Sequence, residues 1–438
     1  MKKIFVAMLL LLTLVLSGCS LFSLEGSDIM CPPKATGTNA QIQELIEDRT
    51  SSDYTLIYPN NGSMRSAIIT YDIDSDKEDE TIAFYTDKKG EDVHALFLSY
   101  DDEEYSVIDE VVFDGTGVDR IDFADLNNDD IQEILIGYTS NTSSQSHLHV
   151  YSFGKKIDAY NLSYPYSSFV TGDFNNDSKD DILLISLYSG DVSASAKLLS
   201  YKSKQKLVEK GSTELDSDIT QLANLAYGKI SVDTYGVVID GISSTGDYTT
   251  QVVMYDKKNS ILINPLYSYT GYAKTRRSTQ VLSTDINSDE IIDIPICSLM
   301  GHAENEDTET VSRQIDWSTL DTETFSINTT LSTIVCSADG YAITIPEKWA
   351  NVVTARYDKD KRETTVYIYE YVKDKLKITD TLLSIRAFES GELNLNSSGY
   401  IEIVATGTTS YTYKLGEADN YLAITGDEVL SMFTLVNQ

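Results

Sequence analysis

Positive charge is scarce in this 438-residue chain: 34 lysines and arginines stand against 68 aspartates and glutamates, a formal net charge of −34. That balance excludes nucleic acid as a partner, since holding phosphates takes concentrated Lys and Arg. Cysteine is scarcer still. Of the four, Cys19 belongs to a processing signal described below, and Cys31, Cys297 and Cys336 cannot all pair with one another, so no disulfide framework is implied. Cys297 lies in an apolar run and reads as a buried thiol. The chain also lacks a Gly-x-Ser-x-Gly elbow, a His-Glu-x-x-His zinc motif, a phosphate loop and a dinucleotide fingerprint, which removes the ordinary hydrolase signatures. His147 and His149 would share one face of a strand, but with no third ligand nearby they read as surface residues.

What the chain has instead is acid in a fixed pattern. Four times an Asp, Asn or Glu falls at positions 1, 3, 5 and 9 of a short loop that runs into an apolar strand. The sets are Asp72, Asp74, Asp76 and Glu80; Asp125, Asn127, Asp129 and Glu133; Asp173, Asn175, Asp177 and Asp181; and Asp285, Asn287, Asp289 and Asp293. A hard cation such as Ca²⁺ takes six to eight oxygen ligands, and carboxylates on alternate residues of a tight loop can wrap them around one point. Position 7 would add a backbone carbonyl, from Glu78, Ile131, Lys179 and Ile291. These are not EF-hands, because position 12 holds Ala83, Ile136, Leu184 and Ile296 where an EF-hand needs a bidentate Glu. A single copy would read as an ordinary Asx turn; four in identical spacing favour metal loops. Position 6, where a sharp turn favours glycine, holds Lys77, Asp130, Ser178 and Glu290, so calcium is the expected cofactor at modest affinity.

Each loop precedes a short β-rich run, Thr81–Tyr85, Ile134–Ile136 or Ile182–Ile185, and further strand-like stretches follow at His94–Tyr100, His149–Phe153 and Lys197–Tyr201. Loop starts at 72, 125, 173 and 285 give a period of about 50 residues with one copy missing before the last. The missing copy is expected near Gln221–Gly228, ahead of a strand at Gly236–Asp240, as a unit that keeps its scaffold and has lost its carboxylates. The expectation is a mainly β chain: a β-propeller of about five blades over 56–332, followed by a small α+β domain over 333–438, with a blade built from terminal segments as the alternative.

The stretch Val170–Leu184, with Asp-x-Asn-x-Asp-x-x-x-Asp before an apolar strand, resembles the FG-GAP or VCBS-type repeat of integrin-like β-propellers. The resemblance covers a little over half the chain and implies calcium loops at the blade periphery or bottom.

At the amino end, Lys2 and Lys3 precede an apolar run from Ile4 to Leu16, the charged start and hydrophobic core of a secretory signal over 1–18. The run is short for a membrane span of about 20 residues. Leu16-Ser-Gly-Cys19 resembles the lipobox of bacterial lipoproteins, which implies a diacylglycerol-modified Cys19, membrane attachment through that lipid, and a place on the outer face of the bacterial cytoplasmic membrane. Residues 19–37 read as a tether. A lead-in follows over 38–55, with Thr38 and Gln41 as a capping box for a helix whose one face carries Ile42, Leu45 and Ile46. In the carboxy-terminal part, Thr364–Tyr371, Leu382–Arg386 and Tyr400–Val404 read as strands, and Thr425 with Glu428 caps a helix containing Val429, Leu430 and Met432. Ile345-Pro-Glu-Lys-Trp349 looks like a recurrent module of surface lipoproteins from Gram-positive bacteria.

These readings converge on an exported, lipid-anchored binding or scaffold protein, with an extracellular protein or glycan as ligand and adhesion or assembly as its role, and with no catalytic residues assigned. The alternative is a glycosidase, which would need two carboxylates about 5 to 9 Å apart in a propeller funnel. The 29 tyrosines could stack on sugars, but on strands they read first as half-buried packing.

Overall fold

The computed structural model describes residues 38–436 apart from 51–52, 88–89, 91, 140–144, 161–162, 191, 268–271, 374 and 390–398. The expected signal peptide, Cys19, the tether and Cys31 lie outside the described residues. The chain is mainly β, in antiparallel sheets, and divides into two compact units. The first comprises the described part of 1–122 with 136–144 and 153–158; the second comprises 123–135, 145–152 and 159–438.

In the first unit, helix α1 (Thr38–Thr50) lies on a sheet of β1 (Tyr54–Leu56), β2 (Ile68–Tyr71), β3 (Glu80–Asp87), β4 (Asp92–Asp101) and β5 (Glu104–Asp114). The strands run in the order β1-β3-β4-β5, with β2 also paired to β3. The apolar stripe expected of α1 does its work here: Ile42 and Ile46 are buried against Ala83, Tyr85, Leu96 and Leu98. The Gln41 side chain engages the β4–β5 hairpin. Its amide donates to Glu103 O at 3.0 Å, and its carbonyl oxygen accepts from Tyr105 N at 3.2 Å. An unpaired hairpin backbone lay within reach, and the side chain satisfies both its donor and its acceptor there.

Strands β6 (Gly117–Ala124), β7 (Glu133–Thr139), β8 (Ser146–Ser152), β9 (Asp158–Ala159) and β10 (Tyr164–Tyr166) belong to a second sheet. In the second unit the third sheet is β11 (Ser168–Gly172), β12 (Asp181–Ser186), β13 (Ser195–Tyr201) and β14 (Leu207–Glu214) in sequence order. The fourth is β15 (Ile219–Ser231), β16 (Thr234–Ser243), β17 (Tyr248–Asp256) and β18 (Ile261–Ile263), again in sequence order. The reason β12 reads as an unbroken apolar run is now plain. Ile182 and Leu184 pack with Leu148 and Val150 of β8, while Leu183 and Ile185 pack with Val237 and Ile239 of β16. A strand covered on both faces has no polar side. The fourth sheet repeats this, with Val238 and Val252 turned toward Ile294 and Leu320.

Those two residues belong to a fifth sheet, β19 (Ile294–Leu299), β20 (Arg313–Leu320), β21 (Ile327–Cys336) and β22 (Tyr341–Thr344), which the last strand of the chain, β28 (Phe433–Leu435), extends. The boundary expected near residue 333 therefore falls inside β21, and the sheet continues through it. The sixth sheet has β23 (Val353–Asp358), β24 (Glu363–Val372), β25 (Lys375–Glu389), β27 (Thr409–Leu415) and β26 (Ile401–Ala405), in that spatial order. It shares a core with the fifth through Trp349, Val366, Leu383 and Tyr341. A four-residue helix, α2 (Tyr272–Thr275), precedes β19. Helix α3 (Gly426–Met432) carries the capping box that the sequence predicts, with Thr425 accepting from Glu428 N and the Glu428 carboxylate accepting from Thr425 N.

Candidate metal centre

The four acidic loops occupy one structural place. The loop at 72 joins β2 to β3, that at 125 joins β6 to β7, and that at 173 joins β11 to β12, while the loop at 285 leads into β19. Position 9 pairs with the residue just before position 1: Tyr71 with Glu80, Gly172 with Asp181, and Thr284 with Asp293.

Their backbones agree in detail. Positions 4 and 6 have positive φ every time: Ser75 and Lys77 at 60° and 77°, Asn128 and Asp130 at 63° and 65°, Asn176 and Ser178 at 64° and 66°, Ser288 and Glu290 at 63° and 68°. The glycine preference at position 6 is real in geometry, and the chain meets it with ordinary residues that bear the left-handed cost. What offsets that cost is the side chain at position 1, whose Oδ2 accepts from the position 6 N–H in all four loops. The distances are 3.1 Å at Asp72, 3.0 Å at Asp125, 3.0 Å at Asp173 and 2.9 Å at Asp285. Position 5 likewise serves the turn: Asp76, Asp129, Asp177 and Asp289 each accept from the N–H two residues on, at 2.8 to 3.1 Å.

The loops part company at position 3. In the loop at 72, oxygens of Asp72, Asp74 and Glu80 lie within 4.8 Å of one another; among the described residues no other three acidic or ligating side chains draw this close. Asp76 is outside that group. Asp72 Oδ1 and Asp74 Oδ1 are shielded from water and accept no hydrogen bond among the described residues. In the second and third loops position 3 is an amide that answers the buried acid, Asn127 Nδ2 donating to Glu133 Oε1 at 2.8 Å and Asn175 Nδ2 to Asp181 Oδ2 at 3.0 Å. In the fourth, Asn287 donates instead to Asp289 at 2.9 Å.

Position 9 is the buried base of every loop. Loss of water pushes Glu80 up to about 7, and the neighbouring Asp74, Asp76 and Asp72 add to it, while the hydrogen bond from Ile73 N works the other way. Burial likewise raises Glu133 and Asp181 to about 7, and raises Asp293. Asp74 is raised by burial and by Asp76. A carboxyl whose proton affinity is raised by neighbouring carboxylates is one that a divalent cation would ionise. The donor set at 72–80, all hard oxygen with two of its buried atoms unanswered, suits calcium better than a softer metal.

Within the second unit, hydrogen bonds to or between backbone groups link the loops to their neighbours. Asp180 N donates to Asp125 O at 3.0 Å, Tyr227 OH to Asp173 O at 3.2 Å, and Ile292 N to Lys229 O at 2.8 Å. Gly172 is required for the second of these, since a Cβ there would lie 2.4 Å from the Tyr227 ring.

The copy expected at Gln221–Gly228 is not a lost loop at that place. Those residues are inside β15, and the β15–β16 connection is the two-residue turn Val232–Asp233. The fourth sheet holds a feature that the sequence reading missed, an ion pair between Arg277 Nη2 and Asp240 Oδ1 at 2.9 Å with both side chains fully buried. Thr250 Oγ1 and Ser283 N also donate to Asp240, at 2.5 and 2.7 Å. Arg277 spends its other donors on Val281 O, Thr275 O and Thr250 Oγ1. An Arg-Arg pair in so acidic a chain was the available signal.

His147 and His149 are not a matched surface pair. His149 is half-buried, its proton affinity lowered by burial and by His147, and its Nδ1 lies 3.2 Å from Tyr151 OH. Cys297 is half-buried, and burial pushes its thiol up to about 11.

No family model and no curated protein matches the chain. Among solved structures, a protein from Lactobacillus plantarum is similar over 73% of this chain and 85% of its own, at 10% identity and a TM-score of 0.30. At that level the likeness carries no argument about fold or function.

Proposed function

We propose that the chain is an exported, lipid-anchored binding or scaffold protein, its sheets arranged as a calcium-loop β-propeller of about five blades. What carries the reading is one repeated turn geometry: left-handed positions 4 and 6, a position 1 carboxylate holding the position 6 N–H, and a buried acid at the start of the next strand. Four independent Asx turns have no reason to share all three. Successive sheets stacked face on face in the second unit, each strand set antiparallel, are what a propeller reading requires. Asp72, Asp74 and Glu80 would hold calcium first, with the second and third loops weaker because an amide already serves their buried acid, and the fourth weaker because Thr330 Oγ1 donates to Asp293.

Bound calcium would supply the positive charge that these carboxylates lack, tying the start of one strand to the end of another. The role outside the membrane is then attachment or assembly, with an extracellular protein or glycan as the ligand. Calcium titration read by thermal melting tests the metal: Tm should rise across millimolar calcium and fall with chelator. A flat response rejects stabilising sites. Cys19→Ala tests the anchor, since it should release the protein from membranes; persistent attachment means another tether.

A further inference from the structure

The β24–β25 hairpin outruns the sheet that carries it. β23 pairs with β24 only as far as Ile368, and β27 pairs with β25 from Leu383 to Glu389. Tyr369 still holds the root. Its N–H donates to Val352 O and its hydroxyl to Asn351 O, both at 3.1 Å, and Gly301 packs against its ring and Leu376. Beyond it, among the described residues, Glu370–Val372 pair only with Lys375–Lys377. These three residue pairs form a two-stranded ribbon about 10 Å long.

So short a ribbon is marginal in water unless its side chains are covered, and most of these are not. Residues directly opposite share a face. One face carries Tyr371 with Leu376, following Tyr369 with Ile378; the other carries Glu370 with Lys377 and Val372 with Lys375. Tyr371 is 61% exposed, Val372 44% and Ile378 42%. The sign of the charge also turns over here. From Tyr371 to Ile378 three lysines, Lys373, Lys375 and Lys377, stand against one acid, Asp374, in a chain with twice as many acids as bases. All three lysines are exposed, and Lys377 lies 3.7 Å from Glu370.

Apolar and aromatic side chains beside lysines at a projecting tip suit the headgroup region of an anionic bilayer, where Tyr rests at the interface and Lys reaches phosphate. A protein partner fits worse. Each face of the ribbon offers about 100 Å², against about 800 Å² per partner in a stable protein interface, whereas a bilayer asks for no matching shape. The acidity of the rest of the chain does not forbid the approach, since exposed charges more than about 8 Å apart are largely screened at physiological ionic strength.

We propose that the β24–β25 tip is a membrane-contact element: Tyr371, Val372 and Ile378 enter the headgroup layer of an anionic bilayer while Lys373, Lys375 and Lys377 meet lipid phosphates. The contact is separate from the lipid on Cys19. A single contact of this size is reversible and does not hold a protein on a membrane by itself, so its failure leaves the anchor reading untouched.

The test is the fluorescence of full-length Tyr371→Trp mixed with vesicles. The native Trp317 and Trp349 are buried, so a change in emission reports the new indole, and attachment through another part of the chain does not imitate it. With vesicles of equal parts phosphatidylglycerol and phosphatidylcholine, the emission should move to the blue and be quenched by brominated acyl chains. With phosphatidylcholine alone it should not move. Adding Lys373→Gln, Lys375→Gln and Lys377→Gln together should raise the lipid needed for half the shift by about tenfold or more. The control is Tyr188→Trp, at a position 55% exposed between β12 and β13, which should show no shift. Absence of a shift at 371, an equal shift with neutral vesicles, an equal shift at 188, or an unchanged lipid requirement in the lysine variant each overturns the proposal. So does a shift that grows with protein concentration in the absence of lipid, which would place the tip on a second copy of the chain. The substituted side chains are all exposed, and unchanged melting of the lysine variant confirms that the fold is intact.

Discussion

The loop at 72–80 and the fourth sheet handle the same difficulty, buried negative charge, in opposite ways. Around Asp240 the chain brings its own cation: Arg277 is wholly buried beside it, and every oxygen of the carboxylate is engaged. Around Asp72, Asp74 and Glu80 the charges that act on the buried Glu80 are other carboxylates, and two shielded oxygens accept no hydrogen bond among the described residues. The second and third loops stand between these extremes, with an asparagine amide in place of a charge. An internal guanidinium makes a site permanent and insensitive to solution conditions. A site without one is conditional on whatever cation the surroundings supply.

The largest effect should come from breaking the permanent site. Arg277→Ala leaves Asp240 buried and unpaired and should cost about 3–5 kcal/mol, seen as a lower midpoint in denaturant melts that calcium does not restore. Restoration by calcium would mean that the two sites are not distinct. Next comes the conditional site: at a calcium concentration 100 times Kd the gain is about 2.7 kcal/mol per site, and Glu80→Gln should remove it from the first loop. Glu80→Gln should also make the metal-free protein no less stable, since it relieves repulsion among Asp72, Asp74 and Asp76. A clear loss of metal-free stability would show that the carboxylate has another duty.

The pH dependence separates the sites further. Glu80 holds its proton up to about 7 when folded, against an ordinary value of 4.5. Without calcium, stability therefore falls as pH rises from about 4.5 toward 7, because over that window the folded chain binds the proton and the unfolded chain does not. With saturating calcium at the first loop its carboxyl is already ionised, and the Glu80 share of that fall should disappear from melts run between pH 5 and 8, leaving the shares of Glu133 and Asp181. The smallest effect expected is that of Asp74→Asn, which gives the first loop the amide of its relatives. It should raise metal-free stability by about 0.5–1.5 kcal/mol while weakening the calcium response, and the ratio of the two changes measures how far an amide replaces an ion.

The repeat was legible because it is written in residue types. Acid and amide on alternate positions, then a β-branched run, name both the turn and the strand after it, and the Thr425–Glu428 cap is just as local. Three things could not be read. Whether positive φ at position 6 demands glycine depends on what the position 1 carboxylate can hold, and Asp72, Asp125, Asp173 and Asp285 hold enough for Lys, Asp, Ser and Glu to stand there. Gln41 and Arg277 take their partners from residues distant in sequence, at 103 and 240, which no local pattern encodes. The strand across residue 333 was hidden because the acidic loops end there while the pairing of β20 with β21 does not.

The Val232–Asp233 turn bears on how such chains diversify. A sheet of the same strand order closes its first hairpin with two residues instead of eight, so the long turn is an accessory to the architecture and not a condition of it. On the calcium reading proposed above, ion capacity could be gained or lost one hairpin at a time, by short insertions and deletions between strands, without any rebuilding of the packed strands beneath.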